Sequence, residues 1–127
     1  MWLLAGTLSA AMAWVFNACL LARFGNKAII TLAPLLEEGF KTGLASWFST
    51  SIVGTHLVFG ATEAVFELLG KKANLKAALV ALTGHTLFGV LTWWAYIAFG
   101  SFFPALMAGS MVHLAWNFLI VALHRRP

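Results

Sequence analysis

Aspartate and glutamine do not occur in this 127-residue chain, and its acids are four glutamates, Glu37, Glu38, Glu63 and Glu67. Charged residues make up 9% of the sequence, against about 25% in an ordinary soluble domain. With 61% hydrophobic residues and a mean hydropathy of +0.90, that scarcity excludes a soluble globular protein. Cysteine occurs once, at Cys19 inside an apolar run, so no disulfide framework can form within the chain. Cys19 reads as a small buried hydrophobe. No basic cluster has the spacing of a nucleic-acid-binding patch, and no low-complexity tract or internal repeat is evident.

What is abundant is long apolar sequence. A spanning helix needs about 20 apolar residues, and charge, glycine and proline punctuate the chain into five such stretches: Trp2 to Ala22, Ala28 to Phe48, Ile52 to Leu69, Leu75 to Phe99 and Pro104 to Leu123. The expected fold is an all-α integral membrane protein, one domain over residues 1–127. Ala11 and Ala13 mimic a signal-peptidase site. The first stretch lacks a basic leader, however, and stays apolar through Leu21, so it reads as a retained helix.

Seven of the eight basic residues lie between or after the spans: Arg23 and Lys27, then Lys71, Lys72 and Lys76, then Arg125 and Arg126. With five spans these three regions share one face. By the positive-inside rule that face is cytoplasmic, the amino terminus is outside and the carboxyl terminus inside. The net charge of +4 is thus a topology signal, with the lipid bilayer as the ordinary partner. Trp47, Trp93, Trp94 and Tyr96 read as an outer aromatic belt.

Ionisable groups within spans are costly and mark function. The second span holds Glu37, Glu38 and Lys41, the third His56, Glu63 and Glu67, the fourth His85, and the fifth His113 and Asn117. Counting from the basic anchors at about 1.5 Å per residue, Glu37 and Glu38 lie roughly 15 to 17 Å deep, Glu63 about 12 Å, His85 about 14 Å, and His113 and Asn117 about 18 and 12 Å. Four helices therefore place polar groups in one slab. His113 and Asn117, four apart, share a helix face, as do Glu63 and Glu67. Adjacent Glu37 and Glu38 point about 100° apart, so one can face a cavity while Lys41 or a neighbouring helix holds the other. Lys41 is the one obligate cation at this depth, so either a glutamate carries a proton, or a histidine or a metal supplies the remaining compensation. Carboxyl groups beside imidazoles are equipment for general acid–base chemistry on water.

Several groups have plainer readings. Glu67, about 6 Å from the basic face, pairs with Lys71 or Lys72; His56, near the outer end of its helix, is interfacial; and Gly39 and Gly43 form a GxxxG pair for close helix packing.

Pro34-Leu-Leu-Glu37-Glu38-Gly-Phe-Lys41 resembles the EExxK motif of the PrsW group, in the superfamily of CAAX proteases and bacteriocin-processing enzymes. Phe59-Gly-Ala-Thr-Glu63 is similar to that group's FxxxE motif, where the CAAX proteases have FxxxH. Gly84-His85-Thr-Leu-Phe88-Gly89 resembles its His-bearing helix, and His113-Leu-Ala-Trp-Asn117 its HxxxN motif. The resemblance implies a glutamate-dependent intramembrane endopeptidase acting on a membrane protein or peptide in a prokaryotic cell membrane. In it Glu37 is the water-activating base with Glu38 in support, His85 and Glu63 position the water, and His113 and Asn117 stabilise the oxyanion. Lys41 and Phe59 are supporting residues, Lys41 as a counter-charge.

The same residues leave other functions open. Glu37, His85 and His113 could supply a carboxylate-plus-two-His zinc set, although a mechanism with no cofactor is the first expectation. A proton-coupled transporter or channel would string polar groups across the whole membrane, whereas the outer half has little beyond His56. A non-catalytic binding or immunity protein would keep the network only to fasten helices. Self-association as a homo-oligomer is compatible with so small a bundle.

Overall fold

A computed structural model describes residues 1–70 and 73–124 as five helices: α1 Trp2–Phe24, α2 Asn26–Trp47, α3 Ile52–Leu69, α4 Leu75–Phe99 and α5 Phe102–His124. The α3 and α4 limits match the apolar runs. Elsewhere the limits shift by one or two residues: α1 runs on to Phe24, α2 starts at Asn26 and stops at Trp47, and α5 extends to Phe102 and His124. Asn26 and Lys27, expected in the first loop, open α2 instead, because a single residue turns the chain. Gly25, with φ 67°, adopts a conformation that side chains disfavour. Helix α5 begins at Phe102, since Pro104 falls in its first turn, where a missing N–H costs nothing. Two other starts are capped by side chains: Ser51 accepts from the Gly54 N–H at 3.0 Å, and Asn74 from that of Ala77 at 3.1 Å. Lys71, Lys72, Arg125 and Arg126, on which much of the expected orientation depends, lie outside the described residues, as does the expected pairing of Glu67 with Lys71 or Lys72.

Helices α1, α3, α4 and α5 are long and apolar enough to cross a membrane. Helix α2 has the length but carries Lys27, Glu37, Glu38 and Lys41. It packs against α1, α3 and α5, while α3 packs most extensively on α4. The bundle's surface is apolar, with Trp14 and Trp47 71% and 82% exposed, whereas Glu38, Lys41 and His56 are wholly buried. That distribution inverts the soluble rule and suits hydrocarbon outside with polar groups satisfied inside. Cys19 belongs to the exposed surface, contrary to its reading as a buried residue. An apolar run cannot tell a lipid-facing position from an interior one. Trp93, Trp94 and Tyr96 are also exposed, as a belt requires.

Close helix approach is made by glycines other than the expected pair. A Cβ at Gly39 or Gly43 would meet nothing within 4 Å, so this GxxxG face touches no neighbour. The tight contacts are elsewhere: a Cβ at Gly60 would lie 2.9 Å from the His85 Cβ, and one at Gly89 would lie 2.6 Å from the His56 Cβ. Both contacts join α3 to α4. We predict that Gly89→Ala destabilises the protein by about 1–3 kcal/mol through overpacking, while Gly39→Ala is neutral or stabilising by up to about 1 kcal/mol. Reversible unfolding in bicelles checks the pair, and equal effects at the two positions would contradict the packing described.

Candidate functional site

The polar slab condenses around Glu38. Its carboxylate is wholly buried and receives three side chains from three helices. Lys41, one turn on in α2, reaches Oε1 at 2.5 Å; His113 of α5 places Nδ1 3.0 Å from the same oxygen; and His56 of α3 places Nε2 2.8 Å from Oε2. The 100° between successive helix positions sends Glu37 another way. Its Oε1 accepts from Asn17 Nδ2 of α1 at 2.8 Å, while its Oε2 is buried without a hydrogen-bond partner among the described residues. Of the two partners that spacing allows Lys41, the structure pairs it with Glu38.

Lys41 is fully buried and makes two hydrogen bonds. Beyond Glu38, its Nζ lies 3.0 Å from His85 Nδ1 and 4.4 Å from the centre of the Phe59 ring, a cation–π contact. An ammonium only donates, so His85 Nδ1 accepts and its proton sits on Nε2. That Nε2–H donates to Glu63 Oε2 at 2.6 Å. Phe59 and Phe88 pack edge-on against the His85 ring at 4.8 and 5.4 Å, fixing its plane.

The same accounting defines His113. Its Nδ1 faces Glu38 Oε1, which already receives Lys41, so Nδ1 donates, while Nε2 makes no hydrogen bond among the described residues. Nε2 lies 3.8 Å from Glu37 Oε2. The two atoms thus face one another beyond hydrogen-bond distance.

This pair forms the inner wall of a cavity of about 640 Å³, whose lining includes Glu37, Glu63, His85, His113 and Asn117. The cavity extends to Asn74 and Lys76 at the start of α4 and is roofed in part by Trp116. Glu63 stands at its mouth, with its side chain 47% exposed. Glu67, a turn further, also lines it. Five of the six expected site residues therefore share one cavity, and the sixth, Glu38, lies behind it. Ligand atoms of Glu37, His85 and His113 lie within 4.8 Å of one another, so the expected metal set also comes together. Both His85 nitrogens are already engaged, however, so a metal would have to displace Lys41 or Glu63.

Two participants differ from expectation. His56 is wholly buried on Glu38 rather than interfacial. Counting residues from a helix end ignores side-chain reach, and Glu38 and His56 extend toward each other from different levels. Among the described residues, Asn17 is the one side chain that hydrogen-bonds Glu37. The signal was present, since Asn17 is an amide in an apolar span six residues before Arg23, about 9 Å from the basic face.

Comparisons with protein-family models, with characterised proteins and with solved structures return no match for this chain.

Proposed function

We propose that this chain is an intramembrane endopeptidase of the PrsW type, in which Glu37 activates water to hydrolyse a peptide bond of a membrane-associated substrate. The observation that supports this reading is that Glu37 Oε2, buried without a hydrogen-bond partner among the described residues, faces His113 Nε2 at 3.8 Å beside the cavity. A water drawn to that pair donates one proton to each. A network that only fastened helices would pair Glu37 Oε2 with a donor, because an unsatisfied buried acceptor is costly.

In this reading the water oxygen bonds to the carbonyl carbon as its proton passes to Glu37. Asn117 supplies a donor for the resulting oxyanion. His113, whose Nε2 carries no proton, orients the water, a different part from the oxyanion role implied by the resemblance. Glu37 then returns its proton to the departing nitrogen as the C–N bond breaks, leaving a carboxylic acid and an amine. His85 and Glu63 line the substrate's approach. On the expected topology the mouth near Lys76 opens to the cytoplasmic side of a prokaryotic cell membrane.

The closeness of the Glu37, His85 and His113 ligand atoms favours a metal-dependent version as the second reading. We expect purified, active protein to keep its full rate after prolonged incubation with EDTA or 1,10-phenanthroline. Loss of activity that zinc restores would transfer the mechanism to the metal. The reading as a whole is tested by reconstituting the protein in proteoliposomes with a bacterial membrane-protein extract and mapping newly formed peptide termini. Termini that depend on Glu37 support it. Their absence with the wild-type protein overturns it.

A further inference from the structure

We propose that His56 is a positioning residue: by holding one oxygen of Glu38, it directs the other at His113 and fixes the His113 tautomer with Nε2 bare toward Glu37. The inference starts from the two ring nitrogens of His56. Nδ1 lies 2.9 Å from the Ile52 carbonyl, which can only accept, so Nδ1 carries a proton. Nε2 lies 2.8 Å from Glu38 Oε2, and that bond needs a proton of its own. The His56–Glu38 pair therefore holds one proton more than a neutral imidazole beside a carboxylate. Its net charge is zero.

The pair is built into the packing of four helices. Glu38 comes from α2 and His56 from α3. On α4, Gly89 leaves room for the imidazole, since a Cβ there would meet the His56 Cβ at 2.6 Å. On α5, Gly109 leaves room for the carboxylate, since a Cβ there would lie 2.9 Å from Glu38 Oε2 and would also strike Thr92 Oγ1. With Oε2 held, rotation of the carboxylate is blocked and Oε1 stays between Lys41 Nζ and His113 Nδ1. Without His56, Oε2 is unheld and the carboxylate can turn about its contact with Lys41, so His113 loses the fixed acceptor that keeps its proton on Nδ1. No atom of His56 lines the cavity, so its influence on the reaction passes through Glu38 and His113.

The catalytic consequence rests on the proposed hydrolase function, but the tautomer does not, and so the two can fail separately. The test uses the full chain in lipid nanodiscs with ¹⁵N-labelled histidine, each ring being assigned by its loss in the matching variant. We expect wild-type His113 to show protonated Nδ1 and bare Nε2. His56→Leu should give a mixture of both His113 tautomers. His56→Gln, whose amide can donate to Glu38 Oε2, should restore the single tautomer. His56→Asn is too short to make that bond and should behave like His56→Leu, answering the same question if the leucine variant does not fold. On a peptide that the wild-type protein cleaves, His56→Asn should lower kcat about 10- to 100-fold, the usual effect of losing a partner behind a functional imidazole. KM should change by less than about twofold. A single unchanged His113 tautomer in His56→Asn, or failure of His56→Gln to restore it, overturns the proposal. Absence of any cleavage by the wild-type protein would overturn the hydrolase reading and leave the tautomer result standing.

Discussion

Glu37→Gln is expected to abolish detectable cleavage while leaving the bundle intact. The substitution is nearly isosteric and keeps an oxygen to accept from Asn17 Nδ2, the one hydrogen bond of the Glu37 side chain among the described residues. It removes the ability of Oε2 to take a proton from water, and loss of a general base costs about 10²- to 10⁴-fold in rate. Helical content by circular dichroism and unfolding free energy should stay near wild type. Mapped termini in proteoliposomes should disappear. Cleavage persisting within tenfold of wild type would remove Glu37 from the base role. Loss of both folding and cleavage would show the network to be structural.

The largest expected effect on stability is at Lys41. Its ammonium sits among Glu38 Oε1, His85 Nδ1 and the Phe59 ring with no exposure to solvent. Lys41→Met keeps most of the volume but leaves a buried carboxylate short of one cation. Breaking a buried pair from one side costs about 3–5 kcal/mol. His85 Nδ1 loses its donor as well, releasing the tautomer that directs Nε2–H to Glu63. Adding Glu38→Gln to Lys41→Met should recover part of the loss, because it removes the orphaned charge, and the double-mutant cycle then gives a coupling energy of about 0.5–3 kcal/mol. Steric-trapping measurements of unfolding in bicelles check this. Additivity of the two substitutions would contradict the pairing. Lys41→Arg is not expected to rescue, since a planar guanidinium cannot occupy the site of a compact ammonium.

The motifs in the sequence differ in how far they carried. EExxK drew attention to Glu37, Glu38 and Lys41 and left the partner of Lys41 open between the two glutamates, which the structure resolves as Glu38. The depth count placed Glu37, Glu63, His85, His113 and Asn117 at one level, and these residues do share a cavity. It misplaced His56, because distance along a helix axis says nothing about where a side chain reaches. It passed over Asn17, because a lone amide carries no charge to draw notice. GxxxG at Gly39 and Gly43 pointed to a packing face, yet the helices approach at Gly60 and Gly89. Spacing identifies a face of small residues but not the helix, if any, that lies against it.

By itself the sequence determined that the chain is helical and membrane-embedded, since so few charges and such long apolar runs allow no other backbone arrangement in hydrocarbon. It also determined which groups could carry chemistry, because each ionisable side chain within a span is costly and there are few of them. Only the tertiary structure decided how those groups divide the work. Glu38 is held by Lys41, His56 and His113, while Glu37 keeps one oxygen without a partner among the described residues, beside a cavity. That division follows from the rotation between adjacent helix positions and from which helices lie on either side of α2. Contacts of this kind join residues up to 75 positions apart and leave no trace in local periodicity.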